Sequence, residues 1–254
     1  MDYLIESFSY HKSLKRLRLK SCKIQDFKAF IPLLRKNTSI SYLDITGNKL
    51  NSMTLIHMWA GLKLNTTLYD LEYTTFGAFY DLQVIKALID ELEKNRSIEE
   101  EIRPIIQKNV ARDQSKTNLS LEGYQLSNYD AIVKYFTKNT RIKILNLADT
   151  QIAYKPLKML VVEITRQNLP ITSLKLNKNK TVDDKVASLL CILFYAKSSL
   201  KQLYLDQTNV TYEGFMEILK ATAQNIKVNK LSFIDCPLLK IETSDEMQQV
   251  QECL

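Results

Sequence analysis

The sequence predicts an α/β solenoid, a stack of repeated units that each contribute one short strand and one helix. An apolar pattern at positions 1, 4, 6 and 11 of a short segment recurs along the chain and predicts the strands. Between these segments apolar residues follow helical spacing, as at Phe27, Phe30 and Leu34. The first positions of the pattern fall at residues 14, 40, 68, 116, 142, 171, 200 and 228.

The spacing of these first positions predicts the number of repeats. The intervals are about 26 to 29 residues, with one interval of 48, which indicates about eight strand-bearing repeats and one degenerate helical repeat. In the long interval Ile98, Ile102, Ile105 and Ile106 keep helical spacing where a strand would be expected. The degenerate repeat is interpreted either as a spacer helix or as a protruding or hinge element used in binding.

The composition indicates a folded protein with few residues suited to catalysis. The 254 residues are 45% hydrophobic and 25% charged, which excludes a disordered chain and a disulfide-dense scaffold. The chain has 5 Gly and 2 His, and it holds no GxGxxG, Walker-type, GxSxG or HExxH motif. We therefore expect no enzyme activity, no cofactor, no metal site and no small-molecule substrate.

Targeting signals and cysteine usage predict a cytoplasmic protein. The chain begins Met1-Asp2-Tyr3 and lacks the basic and apolar regions of a secretory signal. Its apolar runs fall far short of the roughly 20 residues that a membrane span needs, so no span is expected. The cysteines are scattered without a CxxC pair, which favours reduced thiols at Cys22, Cys191, Cys236 and Cys253.

Position 9 of each repeat carries a side chain suited to bonding backbone groups in the turn after the strand. It is Asn, Cys or Thr at Cys22, Asn48, Thr150, Asn179, Thr208 and Cys236. Phe76 and Tyr124 depart from this pattern, so an irregular ladder of turns is expected near them. The pattern resembles the leucine-rich repeat, whose consensus carries Asn or Cys at this position.

A repeat of about 28 residues with a full helix resembles the ribonuclease-inhibitor-like class of leucine-rich repeats. That class includes tropomodulin, Ran GTPase-activating protein and the sensor arrays of NOD-like receptors. The resemblance covers roughly residues 4–240 and implies a curved solenoid with parallel strands on the concave face and helices on the convex face. Strands spaced about 4.8 Å apart and helices spaced about 8–10 Å apart make the helical side longer, so the stack is expected to bend.

We predict a single leucine-rich repeat domain over residues 1–254. Its parts are an N-terminal cap at 1–13, repeats at 14–97, a degenerate helical insertion at 98–115, repeats at 116–240 and a C-terminal cap helix at 241–254. Caps are expected because no single repeat buries its apolar face alone. Asparagines that stand three residues before a first position are expected to close the preceding helix in the left-handed conformation, at Asn37, Asn65, Asn139, Asn168 and Asn225.

The concave face is the expected site for a protein partner, because it presents an extended row of strand side chains. The predicted protein-binding residues are Arg16, Arg18, Lys20, Tyr42, Asp44, Asp70, Glu72, Asn146, Lys175, Tyr204 and Asp206. The first strand is basic and the next two carry acids, which suits a protein with a mixed or acidic surface. Nucleic acid is disfavoured because a polyanion prefers a continuous basic stripe. An alternative is that the basic first strand is a solvated edge that prevents edge-to-edge pairing.

Three functions are compatible with this pattern. The leading hypothesis is a non-catalytic interaction module or scaffold, for example within a cytoskeletal or other large assembly, since repeats occupy almost the whole chain. A second is a regulator of a partner enzyme, of the inhibitor or GTPase-activating type, although no loop singles out a residue for that role. A third is a bacterial effector that acts on host proteins, because such effectors use this repeat.

Overall fold

The structure is a computed structural model that describes residues 7–24, 27–28, 30–74, 82–112, 117–196, 198–223, 225 and 227–236. The chain divides into two compact units, Met1–Pro104 and Ile105–Leu254. The described residues form two parallel sheets, one of three strands in the first unit and one of five strands in the second. That all repeats form one domain over residues 1–254 stays a prediction.

The first unit alternates short strands with helices. Its elements run in the order β1 (Arg16–Arg18), α1 (Phe30–Lys36), β2 (Tyr42–Asp44), α2 (Ser52–Leu62), β3 (Asp70–Glu72), α3 (Leu82–Ser97) and a π-helical turn (Ile98–Ile102). Helix α4 (Arg103–Arg112) follows directly and contains the boundary between the two units. The strands pair in parallel, while α1 packs on α2 and α2 packs on α3.

The second unit repeats the same strand–helix alternation. Its elements are β4 (Asn118–Ser120), α5 (Tyr129–Lys138), β5 (Ile144–Asn146), α6 (Tyr154–Arg166), β6 (Ser173–Lys175), α7 (Asp184–Tyr195), β7 (Gln202–Tyr204), α8 (Tyr212–Thr222) and β8 (Lys230–Ser232). The strands pair in parallel in chain order, and each helix from α5 to α7 packs on its successor. Strands therefore occur at all eight predicted repeats, which confirms the α/β repeat architecture.

Equivalent positions of successive repeats lie side by side in each sheet. The strand-centre leucines are direct partners, namely Leu17, Leu43 and Leu71 in the first unit and Leu119, Leu145, Leu174, Leu203 and Leu231 in the second. They are buried except on the last strand of each sheet, where Leu71 and Leu231 are half-buried. Burial of a leucine contributes about 1.5–3 kcal/mol, so a one-residue slip of register would be costly.

Turns after the strands contain a left-handed residue at position 8, which the sequence pattern did not predict. Its backbone N–H donates to the position-7 carbonyl of the next repeat, as from Asp149 to Asn177 and from Lys178 to Asp206, both at 2.8 Å. The backbone angle φ is positive at Ser21, Gly47, Gly123, Asp149, Lys178, Gln207 and Asp235. Most of these are not glycine, and the left-handed region costs other residues about 1–2 kcal/mol. This bond to the next repeat is made at five of the seven positions, whereas Gly47 donates to the Thr74 hydroxyl instead.

The turn position predicted from the sequence forms a ladder of side-chain hydrogen bonds. Asn179 donates to the carbonyls of Leu147, in the preceding repeat, and Leu176, in its own repeat, both at 2.8 Å. Asn48 makes the same pair of bonds in the first unit. Strand carbonyls are also bonded by Thr150, Thr208 and Cys236. These bonds satisfy buried backbone groups that each turn would otherwise leave without a partner.

The ladder is irregular where the sequence departs from the position-9 pattern. Tyr124 is 37% exposed, and its hydroxyl bonds no described residue. The side-chain ladder therefore lacks a rung at Tyr124, as predicted, while the backbone of the turn keeps the regular bond from Gly123 to Ala148. Phe76, where a second irregular turn was expected, lies outside the described residues.

The connector asparagines hold the helix ends through their side chains. Asn65 donates to the Leu34 carbonyl at 2.7 Å, so it reaches back to the preceding repeat. Its Oδ1 accepts from the backbone N–H groups of Thr67 at 2.8 Å and Leu68 at 2.6 Å. Asn37 also bonds backbone carbonyls that precede it and the N–H groups that follow it. Each asparagine therefore joins a helix end to the next strand.

The left-handed conformation predicted for the connectors is wrong for most of them. Asn168 adopts it, with φ of 48°, whereas Asn37 and Asn65 lie outside the left-handed region. Asn139 has φ of −109° and donates instead to a carbonyl of its own helix α5. At Asn37 and Asn65 the side-chain bonds already satisfy the groups at the connector, so the left-handed turn is unnecessary.

The long interval keeps a connector asparagine but continues as a helix. Asn95 is fully buried in α3, and its amide donates to the Leu68 carbonyl of its own repeat at 2.6 Å and to Oδ1 of the preceding connector Asn65 at 3.3 Å. The Oδ1 of Asn95 is buried and has no partner among the described residues. At Asn37 and Asn65 the equivalent oxygen accepts from the N–H groups two and three residues later. Here those residues, Ser97 and Ile98, are themselves helical.

Pro104 accounts for the π-helical turn between α3 and α4. A proline inside a helix lacks an N–H, and its ring clashes with the carbonyl four residues earlier, here that of Glu100. In the wider turn the Arg103 N–H bonds the Ile98 carbonyl, five residues back. The chain is thus helical through Arg112, in agreement with a degenerate helical repeat.

The two predicted caps are only partly described. Of the N-terminal cap at 1–13, residues 7–9 are helical, and Phe8 packs on the core of the first unit. The predicted C-terminal cap helix at 241–254 lies outside the described residues.

We expect Asn65→Ala to lower the free energy of unfolding more than Asn95→Ala. Loss of Asn65 leaves the buried N–H groups of Thr67 and Leu68 without an acceptor, and each such group costs about 1–3 kcal/mol. Loss of Asn95 removes a donor to Leu68 but also removes an oxygen that is buried without a partner. Urea denaturation followed by circular dichroism measures both changes, and equal losses would contradict the capping role of Asn65.

Candidate protein-binding face

Positions 3, 5 and 7 of the repeats point away from the leucine core, because side chains alternate along a strand. We call this surface the strand face of each unit. In the first unit it consists of Arg16, Arg18, Lys20, Tyr42, Asp44, Thr46, Asp70, Glu72 and Thr74. In the second it consists of Asn118, Ser120, Glu122, Ile144, Asn146, Ala148, Ser173, Lys175, Asn177, Gln202, Tyr204, Asp206, Lys230, Ser232 and Ile234. All the residues predicted to bind a partner lie on one of these two faces.

Two arginines surround one tyrosine on the strand face of the first unit. Arg16 of β1 is the direct strand partner of Tyr42 of β2, and its Cζ lies 3.8 Å from the centre of the tyrosine ring. The Cζ of Arg18 lies 5.7 Å from the same centre. A guanidinium on an aromatic face is attracted by the negative face of the ring, which restricts its motion. Both arginine side chains remain exposed to solvent.

Asp44 is bound within its own repeat. Its Oδ1 accepts from the backbone N–H of Thr46 at 3.0 Å and from the Thr46 hydroxyl at 2.8 Å. These two bonds lower the pKa of the Asp44 carboxyl below its usual value of 3.8, and the charges of Lys20 and Arg18 lower it further. The carboxylate therefore stays ionised near neutral pH and holds the turn that follows β2.

Three of the predicted binding residues are buried, so the expectation that they offer surface to a partner is corrected. Tyr42 is 4% exposed, Asp44 6% and Asn146 8%. Arg16 lies over Tyr42, and Asn146 donates to a carboxylate oxygen of Glu122 at 2.9 Å. Sequence position alone does not show such covering, because it depends on side chains of the neighbouring strands. These three residues support the exposed residues around them.

The other predicted residues of the first unit are accessible. Arg16, Arg18, Lys20 and Glu72 are exposed, and Asp70 is half-buried. In the part of the chain that the structure describes, no carboxylate lies within ion-pair distance of the three cations. Three basic side chains thus face solvent on β1 and the turn after it, while the acids lie two strands away on β3.

A second tyrosine carries two cations in the second unit. The Nζ atoms of Lys175 on β6 and Lys230 on β8 lie 5.4 Å and 5.1 Å from the centre of the Tyr204 ring on β7. Neither lysine has a carboxylate within ion-pair distance among the described residues. Each unit therefore has one tyrosine beside two cations that have no described carboxylate at ion-pair distance.

The carboxylate nearest to the second cluster along the chain is bound elsewhere. Asp206 Oδ1 accepts from the Ser232 hydroxyl at 2.5 Å and from the Ile234 backbone N–H at 2.8 Å. These bonds hold the turn after β7 against the turn after β8. Asp206, a predicted binding residue, is half-buried in this position.

Five exposed residues of the strand face are absent from the set of predicted binding residues, namely Thr74, Asn118, Glu122, Lys230 and Ile234. Lys230 occupies position 3 of its repeat, a position that the strand pattern assigns to this face. Ile234 is 66% exposed at position 7, where most repeats have a polar residue. The signal in the sequence was an apolar residue at an outward position, next to the polar Asp235.

The described residues also form two surface cavities, one of which is bordered by Asn118 of the strand face. A surface cavity of about 320 Å³ is lined by Ile106, Leu119, Tyr135 and Ile142 among others, and one of about 570 Å³ lies between α7 and α8. No group of three His, Cys, Asp or Glu residues in the described ranges could hold a metal ion. A helix long and apolar enough to cross a membrane is likewise not found there.

Comparisons with known proteins give only distant matches. No protein-family model matches the chain, and no curated protein matches it. Among solved structures, actin-binding site 2 of leiomodin-1 is 18% identical, covering 61% of this chain and 88% of its own, with a TM-score of 0.44. The leucine-rich repeat protein LegL7 from Legionella pneumophila is 14% identical, covering 98% and 93%, with a TM-score of 0.38. An internalin from Listeria monocytogenes is 16% identical, covering 95% and 66%, with a TM-score of 0.29.

The hydrogen-bonding pattern within the chain defines the class of its fold. Each of the eight described strands has a central leucine, and the turns described after them are tied by a position-9 side chain or by backbone bonds. A helix lies between every two successive strands. Equivalent positions pair in register within each sheet. This is the architecture of a leucine-rich repeat protein.

We expect Asp44→Asn to destabilise the protein at neutral pH and to have a smaller effect in acid. The folded-state pKa of Asp44 lies below the unfolded value of 3.8. The ionised carboxylate therefore stabilises the folded protein above pH 3.8, and this stabilisation is lost as the pH falls through the folded-state pKa. Urea denaturation of both proteins at about pH 7 and about pH 2 measures this difference. A loss of equal size at both pH values would contradict the role of the carboxylate.

The cysteine thiols should differ sharply in reactivity. Cys22 is exposed, whereas Cys191 is buried in α7. Burial, together with the charge of Glu217, raises the pKa of Cys191 to about 11, so its thiolate is scarce at about pH 8. Iodoacetamide at that pH should label Cys22 in the native protein and Cys191 only after unfolding, as read by peptide mass spectrometry. Native-state labelling of both at similar rates would contradict the packing of α7.

Proposed function

We propose that the chain is a non-catalytic interaction module that binds a protein partner through the strand face of its repeats. The observation that carries this proposal is the state of the cations on that face. Arg16 and Arg18 in the first unit, and Lys175 and Lys230 in the second, lie around tyrosine rings and have no described carboxylate at ion-pair distance. Charged groups of this kind are available to a partner.

Contact with the tyrosines favours binding because it restricts the cations before a partner arrives. Ordering a long side chain at an interface costs about 0.5–1.5 kcal/mol, and part of that cost is already met in the free protein. The acids Asp70 and Glu72 on β3 add the opposite sign to the same face of the first unit. A partner with a mixed or acidic surface matches this distribution of charge.

The sign distribution also supports a protein partner over nucleic acid. A polyanion is bound best by a basic stripe, whereas in the first unit the sign changes between β1 and β3. In the second unit Glu122 and Asp206 share the strand face with the lysines. The carboxylates on each strand face would repel the phosphates of a nucleic acid bound along either sheet.

The identity of the captured protein separates the functions considered from the sequence. A structural protein would indicate a scaffold within a cytoskeletal or other large assembly. An enzyme whose activity changes on binding would indicate a regulator, and a host protein would indicate a bacterial effector. We propose a cytoplasmic setting for all three, and each uses the same binding face.

We expect capture of the partner to be abolished by substitutions on the strand face. The variant combines Arg18→Ala, Glu72→Ala, Lys175→Ala and Tyr204→Ala. These changes remove two charges from the first unit, and one charge and one aromatic ring from the second, without altering the buried leucines. Cross-linking in native lysate, followed by affinity capture and mass spectrometry, compares this variant with the native chain. Circular dichroism and thermal melting establish that the variant is folded.

A matched variant on the helices provides the control. It combines Lys86→Ala, Glu93→Ala, Lys158→Ala and Tyr195→Ala, which remove the same charges and one tyrosine from exposed positions of α3, α6 and α7. We expect this variant to capture the same protein as the native chain. Capture that survives the strand-face variant but is lost in the helix variant would place the binding surface on the helices.

A further inference from the structure

The two arginines of β1 are held in a geometry suited to a carboxylate. Arg16 and Arg18 stand two residues apart on one strand, so both side chains emerge on the same face. The guanidinium of Arg16 lies on the ring of Tyr42, with its Cζ 3.8 Å from the ring centre. The buried tyrosine is a fixed support, since it is only 4% exposed. A guanidinium with one face on a ring keeps N–H donors at its edges for planar oxygen pairs.

Among the described residues, no neighbouring carboxylate accepts a hydrogen bond from the guanidinium groups of Arg16 and Arg18. Asp44, the direct strand partner of Arg18, is 6% exposed and accepts two hydrogen bonds from Thr46. Asp70 and Glu72 lie on β3, beyond β2, and neither pairs with an arginine of β1. Within the described residues the guanidinium groups of Arg16 and Arg18 therefore have no acceptor. An acceptor from another molecule would satisfy these N–H donors.

We propose that Arg16 and Arg18, supported by Tyr42, form the anchor that binds Asp or Glu carboxylates of an acidic segment in a partner protein. This inference rests on the proposed function and names the chemistry of the partner at one place on the strand face. Paired N–H donors match the two oxygens of a carboxylate, and such charge-assisted bonds are about twice as strong as neutral ones. Lysine, a compact charge without the planar fork, does not reproduce this match.

The covered ring argues against single-stranded nucleic acid as the ligand of this site. Proteins that bind single strands stack bases on open aromatic faces between basic side chains. Tyr42 offers no such face, because it is buried and Arg16 lies over its ring. The arrangement leaves the edges of the guanidinium groups as the recognition element.

The experiment compares the full chain with two variants of the anchor. Fluorescence anisotropy measures binding of a labelled synthetic glutamate-rich peptide at low salt. The variant with Arg16→Lys and Arg18→Lys keeps the net charge but loses the planar donors, and we expect it to bind about tenfold more weakly. The variant with Arg16→Gln and Arg18→Gln should bind more weakly still. Thermal melting of each variant checks that the fold is retained.

A matched pair in the second unit serves as the control for charge. Lys175→Gln and Lys230→Gln together remove two positive charges, as the glutamine variant of the anchor does, and should weaken peptide binding by no more than about twofold. Equal weakening by the two glutamine variants would show an effect of net charge and overturn the anchor. Native-like binding by the Arg-to-Lys variant would overturn it as well. Tighter binding of a single-stranded oligonucleotide of equal charge would overturn the choice of partner.

Failure of this inference is distinguishable from failure of the proposed function. If the strand-face variant with four alanines still captures the native partner, the proposed function is wrong. If that variant loses the partner while the Arg-to-Lys variant binds the peptide as the native chain does, the strand face remains the site and only the anchor is wrong.

Discussion

The hydrogen bonds between successive repeats are the constraint on which the rest of the structure depends. Backbone N–H groups at positions 6 and 8 donate to the position-5 and position-7 carbonyls of the next repeat, as from Leu205 to Ser232 at 2.8 Å. Asn48 and Asn179 tie the turns beside them. Because these bonds set the register, a leucine of each strand faces the helices and the residues on either side face outward. A left-handed residue such as Lys178 is accepted as part of that geometry.

The break in the strand pattern follows from the same constraint. Asn95 still donates to the preceding connector, Asn65, but the residues after it stay helical and leave its Oδ1 buried without a described partner. Pro104 is accommodated by a π-helical turn, and the chain remains helical through Arg112. The strands on either side of this segment, β3 and β4, belong to different sheets. Where the sequence omits one strand, the first sheet therefore ends and a second sheet begins.

The candidate binding face depends on the register of strand pairing as well as on the residues that each strand contains. Direct pairing sets Arg16 beside Tyr42 and Lys175 beside Tyr204, so a cation from one strand meets a ring on the next. The acids closest to these clusters, Asp44 and Asp206, are bound by hydroxyl and backbone N–H groups of the turns. Their charges are thus used inside the protein, which leaves the cations without a counter-ion at ion-pair distance.

The sequence by itself determined the repeat, its strand centres, the turn side chains such as Asn179 and the helical character of the long interval, because these depend on periodic apolar residues and local bonding. It also assigned the candidate binding residues to outward positions of the strands, since alternation along a strand has a fixed period. Tertiary structure decided which of them are accessible. Tyr42 is buried under Arg16, Asn146 is bound to Glu122, and Lys230 joins Tyr204 from another strand. Those outcomes depend on side chains 24 to 26 residues apart in sequence that only strand pairing brings into contact.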